Sequence, residues 1–269
     1  MQDIIFELQD MRHLSWEKTR KSSGTAGSFL KAYDDSGKKK LYYKLSNFDA
    51  IKGIIGHECV NEIIVQRVLR KLGIEHLEYR LIHALIHIND MEYETWLCES
   101  EDYKKPGETK IALEDYYLME RLPGEEPLEF CVRKGWSDQI YKMMIVDHII
   151  LNRDRHGANI EVLRSLREKA MRLAPLFDHG LSFVCRCADE EELAKFDVLK
   201  DMPVQAFIGS KSTYENLKKI PVSYIDHVPA ITEEDRKMIF SGLDSAIGSL
   251  WLDKIWEMIV KRRNSLDNL

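Results

Sequence analysis

The chain has 269 residues, 44% of them hydrophobic and 31% charged, with a formal net charge of −6. At roughly 150 residues per domain this is one large domain or two lobes, long enough to bury a core without disulfide or metal. The acidic balance argues against a dedicated nucleic-acid binder, the acid-containing start Met1 to Arg12 is no signal peptide, and no run approaches the roughly 18 apolar residues of a membrane span.

In chain order, the first 120 residues read mostly as strands. Ser28 to Tyr33 and Leu41 to Leu45 flank the turn Asp34-Asp35-Ser36-Gly37. A helix follows over His57 to Leu72, with Val60, Ile64, Val68 and Leu72 on one stripe and Gly73 as its stop. Glu78 to Ile88 alternates, with Ile82, Ala84, Ile86 and Ile88 on one face and His83 and His87 on the other. Met91 to Glu99 returns after Asn89-Asp90, and Tyr116 to Leu122 reads as another short strand. Beyond Pro123-Gly124 the period becomes helical. Ser137 is a candidate cap for a buried helix through Ile140, Met144 and Ile149 to Leu151. Thr232 with Asp235 makes a capping box before a helix over Met238 to Ile247, and a last helix spans about Leu252 to Arg263. A β-rich part followed by an α-rich part predicts an α+β protein of two lobes, 1–122 and 123–269.

The chemistry concentrates in Asn152-Arg153-Asp154-Arg155-His156-Gly157-Ala158-Asn159, followed by Phe177-Asp178-His179-Gly180. Phosphoryl transfer from ATP needs an oriented acceptor hydroxyl, Mg²⁺ bridging the phosphates, and oxygen ligands for that metal. An Asp with an Asn five positions later offers the first and part of the last from one loop. A second Asp on a loop after a strand offers the rest.

The run D-R-H-x-x-N followed by D-x-G resembles the atypical kinases, the HipA-like bacterial Ser/Thr kinases and the phosphatidylinositol 3- and 4-kinases. Pro175-Leu176-Phe177-Asp178, Val204 to Gly209 and the closing helices after Ile231-Thr232 resemble the HipA-like branch. The resemblance implies a two-lobed protein-kinase-like fold, ATP and Mg²⁺ as cofactors, and a protein Ser/Thr acceptor. It implies Asp154 as catalytic base or hydroxyl-orienting residue and Asn159 and Asp178 as Mg²⁺ ligands, with His156 second in line for proton handling. Lys44, on a strand, takes the place of the lysine that contacts the α- and β-phosphates. Its helix partner is Glu62, with Glu58 one turn earlier as runner-up. Ser22 to Ser28 stands where a phosphate-covering loop would be, with Ser23, Gly24, Thr25 and Gly27 offering close backbone approach. Its hydroxyls are candidate sites of autophosphorylation. Met119-Glu120-Arg121-Leu122 would be the hinge, with Glu120 and Leu122 beside adenine.

Other candidates carry less. His83 and His87, four residues apart along a strand, are about 13 Å apart and make no metal pair. Cys185 and Cys187 form C-x-C on an extended segment, with no second pair at zinc-like spacing. Cys59, Cys98 and Cys131 complete an odd, sparse set that predicts no disulfide framework and a reducing, cytoplasmic setting. Lys38-Lys39-Lys40 and Lys261-Arg262-Arg263 read as solvated basic runs. A lipid-headgroup or small-molecule kinase, and a nucleotide-binding pseudokinase, are the rival readings. The acidic stretch Asp189 to Glu192 tilts the acceptor toward protein. The chain shows no long N-terminal extension before the glycine-containing loop, a departure from the family that puts in doubt any partner or toxin–antitoxin role carried by such an extension.

Overall fold

The computed structural model describes residues 3–17 and 29–269. The first part forms β1 (Ile4–Asp10), β2 (Lys31–Asp34), β3 (Leu41–Leu45), a short ladder of β4 (Phe48–Asp49) and β5 (Gly53–Ile54), α1 (Glu58–Leu72), β6 (Tyr79–Ile88) and β7 (Met91–Glu101). These give a sheet of order β1-β6-β7-β3-β2, antiparallel except for the β1–β6 pair. The β6–β7 hairpin turns at Asn89 and Asp90, both at positive φ (48° and 64°), as a tight two-residue hairpin turn requires. Alternation along β6 sends Ile82, Ala84, Ile86 and Ile88 to one face, where they pack with Tyr43, Leu45 and Leu97. The other face, through Leu81 and Cys98, meets the buried stripe of α1, including Ile63, Ile64, Val68 and Leu69. Helix α1 stops at Gly73, whose φ of 67° favours glycine.

The second part runs β8 (Glu108–Ala112), α2 (Leu113–Glu120), α3 (Pro127–Arg133), α4 (Ser137–Ile149), β9 (Asp154–Arg155), β10 (Glu161–Ser165), β11 (Ala170–Leu173), α5 (Glu190–Lys195), β12 (Gln205–Ala206), α6 (Thr213–Leu217), α7 (Val222–Asp226), α8 (Glu233–Phe240) and α9 (Ser249–Ser265). Strand β8 pairs with β10, so the chain leaves the first sheet after Glu101. Helix α4 is buried at every position from Met143 to Ile149, the polar Asp147 and His148 included, as a central helix is. Ile255 and Ile259 of α9 join the same core. The result is the α+β, two-part architecture expected, a β-rich beginning and a mainly helical end.

Several local expectations fail. Tyr116 to Leu122 is no strand: it falls in and just after α2, where Leu113, Tyr116 and Tyr117 bury at i, i+3 and i+4. Ser137 is the first helical residue, and Trp136 holds the cap position without a side-chain bond. The helix after Thr232 ends at Phe240, because Gly242 turns the chain at φ 76° before Leu243–Ser245. The described part of the strand before the first turn begins at Lys31, and Cys185 lies in a turn with Cys187 just after it. Arg262 and Arg263 are buried, not solvated. Arg262 donates to the carbonyls of His148 (2.6 Å) and Val198 (3.1 Å), and Arg263 to those of Pro229 (3.0 Å) and Val228 (2.6 Å). His148 lies in the last turn of α4 and the other three carbonyls lie between elements, and a guanidinium satisfies two or more such acceptors at once.

Candidate active site

Lys44 sits on β3 between β2 and β7, which fixes its side chain toward α1. Its Nζ lies 2.8 Å from Glu62 Oε1 and also donates to Asp178 Oδ1. Glu62 is wholly buried in α1, so the pair is shielded from water. Burial works to lower the Lys44 amine, but Asp178 and Glu62 outweigh it and hold it well above its ordinary value. Glu58 takes a different role: its Oε2 accepts from the Asn47 N–H at 3.0 Å. The partner of Lys44 in α1 is therefore Glu62.

Helix α1 also clamps the loop that carries Asp178. Glu62 Oε2 accepts from the His179 N–H at 2.9 Å, and Asn61 Nδ2 donates to the Gly180 carbonyl at 2.8 Å. A Cβ on Gly180 would stand 3.0 Å from Glu58 Cβ and 3.3 Å from its carbonyl, so a side chain there would push α1 back by a few tenths of an ångström. Asp178 itself has φ 58°, a left-handed conformation that costs a non-glycine residue energy and that the clamp maintains. Burial would raise its carboxyl. Lys44 and Lys31 win, and it stays ionised far below the usual range.

Residues 152–159 are held from behind. Asn152 Nδ2 donates to Asp147 Oδ1 at 2.9 Å, and Arg155 forks onto the same carboxylate. Asn159 Nδ2 donates to the Asp154 carbonyl at 2.8 Å, which leaves its Oδ1 as an acceptor atom. His156 is a loop organiser: Nδ1 accepts from the Ala158 N–H at 3.2 Å, and Nε2 stands 3.7 Å from Asp154 Oδ2. Burial, opposed by His156 and reinforced by Asp178, raises the Asp154 carboxyl above its ordinary value.

A cleft of about 890 Å³ brings Lys44, Asn159 and Asp178 together. Asp154 and His156 are not in its lining, although Asp154 is near enough to feel Asp178 and Lys44. Glu120 and Leu122 are not brought to it either; they are exposed at and beyond the end of α2. Ser23, Gly24, Thr25 and Gly27 lie outside the described residues. The sequence reading missed Lys31, Asp102 and Tyr103, and gave Phe177 no part beyond its place in the run before Asp178. Tyr103 stacks on Phe177 with centroids 5.6 Å apart, and its hydroxyl bonds Glu161. The signal for Tyr103 and Asp102 was their place immediately after the last strand of the first sheet.

No family model and no curated protein matches the chain. Among solved structures it is similar to the Helicobacter pylori proinflammatory kinase CtkA, with a TM-score of 0.61 and 13% identity over 98% of this chain and 99% of that one. The chain has a protein-kinase-like fold. It is also similar to HipA of Shewanella oneidensis MR-1, solved with HipB and operator DNA, at a TM-score of 0.42 and 14% identity over 91% of this chain and 58% of that one.

The kinase-like cleft suits a hard divalent ion. Asp178 is kept ionised and Asn159 presents an amide oxygen, the donor types Mg²⁺ takes, its other positions being left to water and phosphate oxygens. Among the described residues no group of three or more His, Cys, Asp or Glu forms a separate metal site, and no helix is long and apolar enough to cross a membrane.

Proposed function

We propose that the protein is an ATP- and Mg²⁺-dependent kinase that transfers the γ-phosphoryl group to a hydroxyl, in the HipA-like manner and with a protein Ser/Thr acceptor. The observation that carries this is the chain of contacts Glu62–Lys44–Asp178 across the cleft, with Asn159 in the same wall. In kinases the strand lysine, its helix glutamate and the metal-binding Asp must be in place together.

Lys44 holds the nucleotide phosphates, and Asn159 and Asp178 would hold Mg²⁺, which supplies charge neutralisation at those phosphates. Asp154 orients the acceptor hydroxyl and takes its proton as the hydroxyl oxygen bonds to the γ-phosphorus. The bond from that phosphorus to the bridging oxygen breaks, and ADP leaves with the electron pair. Tyr103 and Phe177 supply apolar surface for the base. The crossover between lobes is assigned to residues 102–107, because the first sheet ends at Glu101 and β8 pairs with β10. The exposed acidic turn and helix start Asp189 to Glu192 favours a basic peptide as acceptor. Autophosphorylation within Ser22–Ser28 and a cytoplasmic location belong to the same reading.

The test is incubation with labelled MgATP, alone and with basic Ser/Thr peptides, followed by mass spectrometry. Transfer to a hydroxyl by the parent and not by Asp154→Ala is the expected result. A parent that binds MgATP yet labels neither itself nor any peptide would favour the binding-module reading.

A further inference from the structure

Three lysines line the cleft: Lys31, Lys44 and Lys110. Two of them are matched by acids. Lys44 has Glu62 and Asp178, and Lys110 lies 3.1 Å from Glu161. Lys31 has no carboxylate within ion-pair distance among the described residues.

The placement of Lys31 is set by the backbone. Its N–H donates to the Glu17 carbonyl at 3.0 Å, and its carbonyl accepts from the Glu17 N–H at 2.9 Å. On β2 it stands directly opposite Lys44 on β3. Opposed residues of an antiparallel pair share a face, with Cβ atoms about 5 Å apart, and like charges there are destabilising. The fold gains nothing from this repulsion. An anion that bridges both amines removes it.

We propose that Lys31 is a second polyphosphate-binding residue, gripping the nucleotide phosphates from β2 beside Lys44. This rests on the kinase reading above. The anion must be multiply charged, since Asp178 and Glu62 already balance Lys44. Burial supports the assignment by working to lower the Lys31 amine, reinforced by Lys44 and Lys110 and opposed by Asp178 and Glu62.

The experiment is calorimetric titration of the full chain with MgATP, MgADP and adenosine, for the parent, Lys31→Met and Lys31→Arg. Lys31→Met should weaken MgATP and MgADP about tenfold, the scale of one lost charge-assisted bond. Adenosine affinity should be unchanged, and Lys31→Arg should recover most of the loss. The ligand-free melting temperature of Lys31→Met should be equal to or above the parent's. Equal MgATP affinity in Lys31→Met and parent overturns the proposal, as does an equal loss of adenosine binding, which would mark a structural role. A parent that binds adenosine but neither nucleotide phosphate, or nothing at all, refutes the kinase reading and this residue's part in it together.

Discussion

Arg155 grips Asp147 through two nitrogens, Nη2 at 2.9 Å from Oδ1 and Nε at 3.0 Å from Oδ2. Its remaining nitrogen donates to the carbonyls of Asn159 (3.2 Å) and Phe177 (3.0 Å). One buried guanidinium thus ties helix α4 to both loops of the site, ending next to Asp178.

Breaking this pair leaves one buried charge without its partner, which costs about 3–5 kcal/mol. Arg155→Met and Asp147→Asn should each lower the urea midpoint accordingly and cost transfer as the loops loosen. A loss under about 1 kcal/mol in both variants would mean that the pair does not hold the site.

Asp154 should act on transfer far more than on binding. Asp154→Asn is expected to bind MgATP within about threefold of the parent and to transfer roughly 10²–10⁴-fold more slowly. The carboxylate must be ionised to accept a proton, and burial raises it above its ordinary 3.8. The rate of the parent should therefore fall on acidification at a pH above 3.8. A pH-independent rate down to pH 4, or a variant with near-parental turnover, would remove Asp154 from this role and leave His156 to be tested.

Acid stability should be governed by two histidines outside the cleft. Burial lowers His57 to about 4 and His148 to about 3, from 6.5. Between pH 6.5 and those values the unfolded chain binds more protons than the folded one, so stability rises with pH and is lost on acidification. At pH 4.5 the loss should be on the order of 1–3 kcal/mol per histidine. Asp178, held low, adds a further loss only as the pH falls below its ordinary 3.8. Melting temperatures of His57→Gln and His148→Gln across pH 4–7 check this: each variant should show a shallower slope than the parent. Parallel slopes would contradict it.

Much of the site was legible because its residues lie in short runs with local rules. Asp154 and Asn159 lie in one short segment and Asp178 in a second, each recognisable from a few neighbouring residues. Glu62 follows from a helix that Gly73 terminates, and the β6–β7 hairpin follows from alternation. The missing parts depend on tertiary placement. Tyr116 and Tyr117 suggest a strand by type, yet the acids Glu114 and Asp115 in the first turn and the buried i, i+3, i+4 spacing from Leu113 make a helix. Moving that segment into α2 takes Glu120 and Leu122 away from the cleft and brings Asp102 and Tyr103 to it. Arg262 reads as solvated beside Lys261 because only the packed helices reveal the carbonyls it satisfies. Lys31 gains meaning only from its register opposite Lys44.

In the proposed mechanism Asp178 and Asn159 hold a metal through which the nucleotide is bound against Lys44. The direct measurement is ATP affinity with and without Mg²⁺, in the parent and in Asp178→Asn, with the ligand-free melt confirming that both are folded. Mg²⁺ should tighten ATP binding to the parent by about tenfold or more, and Asp178→Asn should lose this dependence while still binding adenosine. An Asp178→Asn protein whose ATP affinity responds to Mg²⁺ as the parent's does would contradict it.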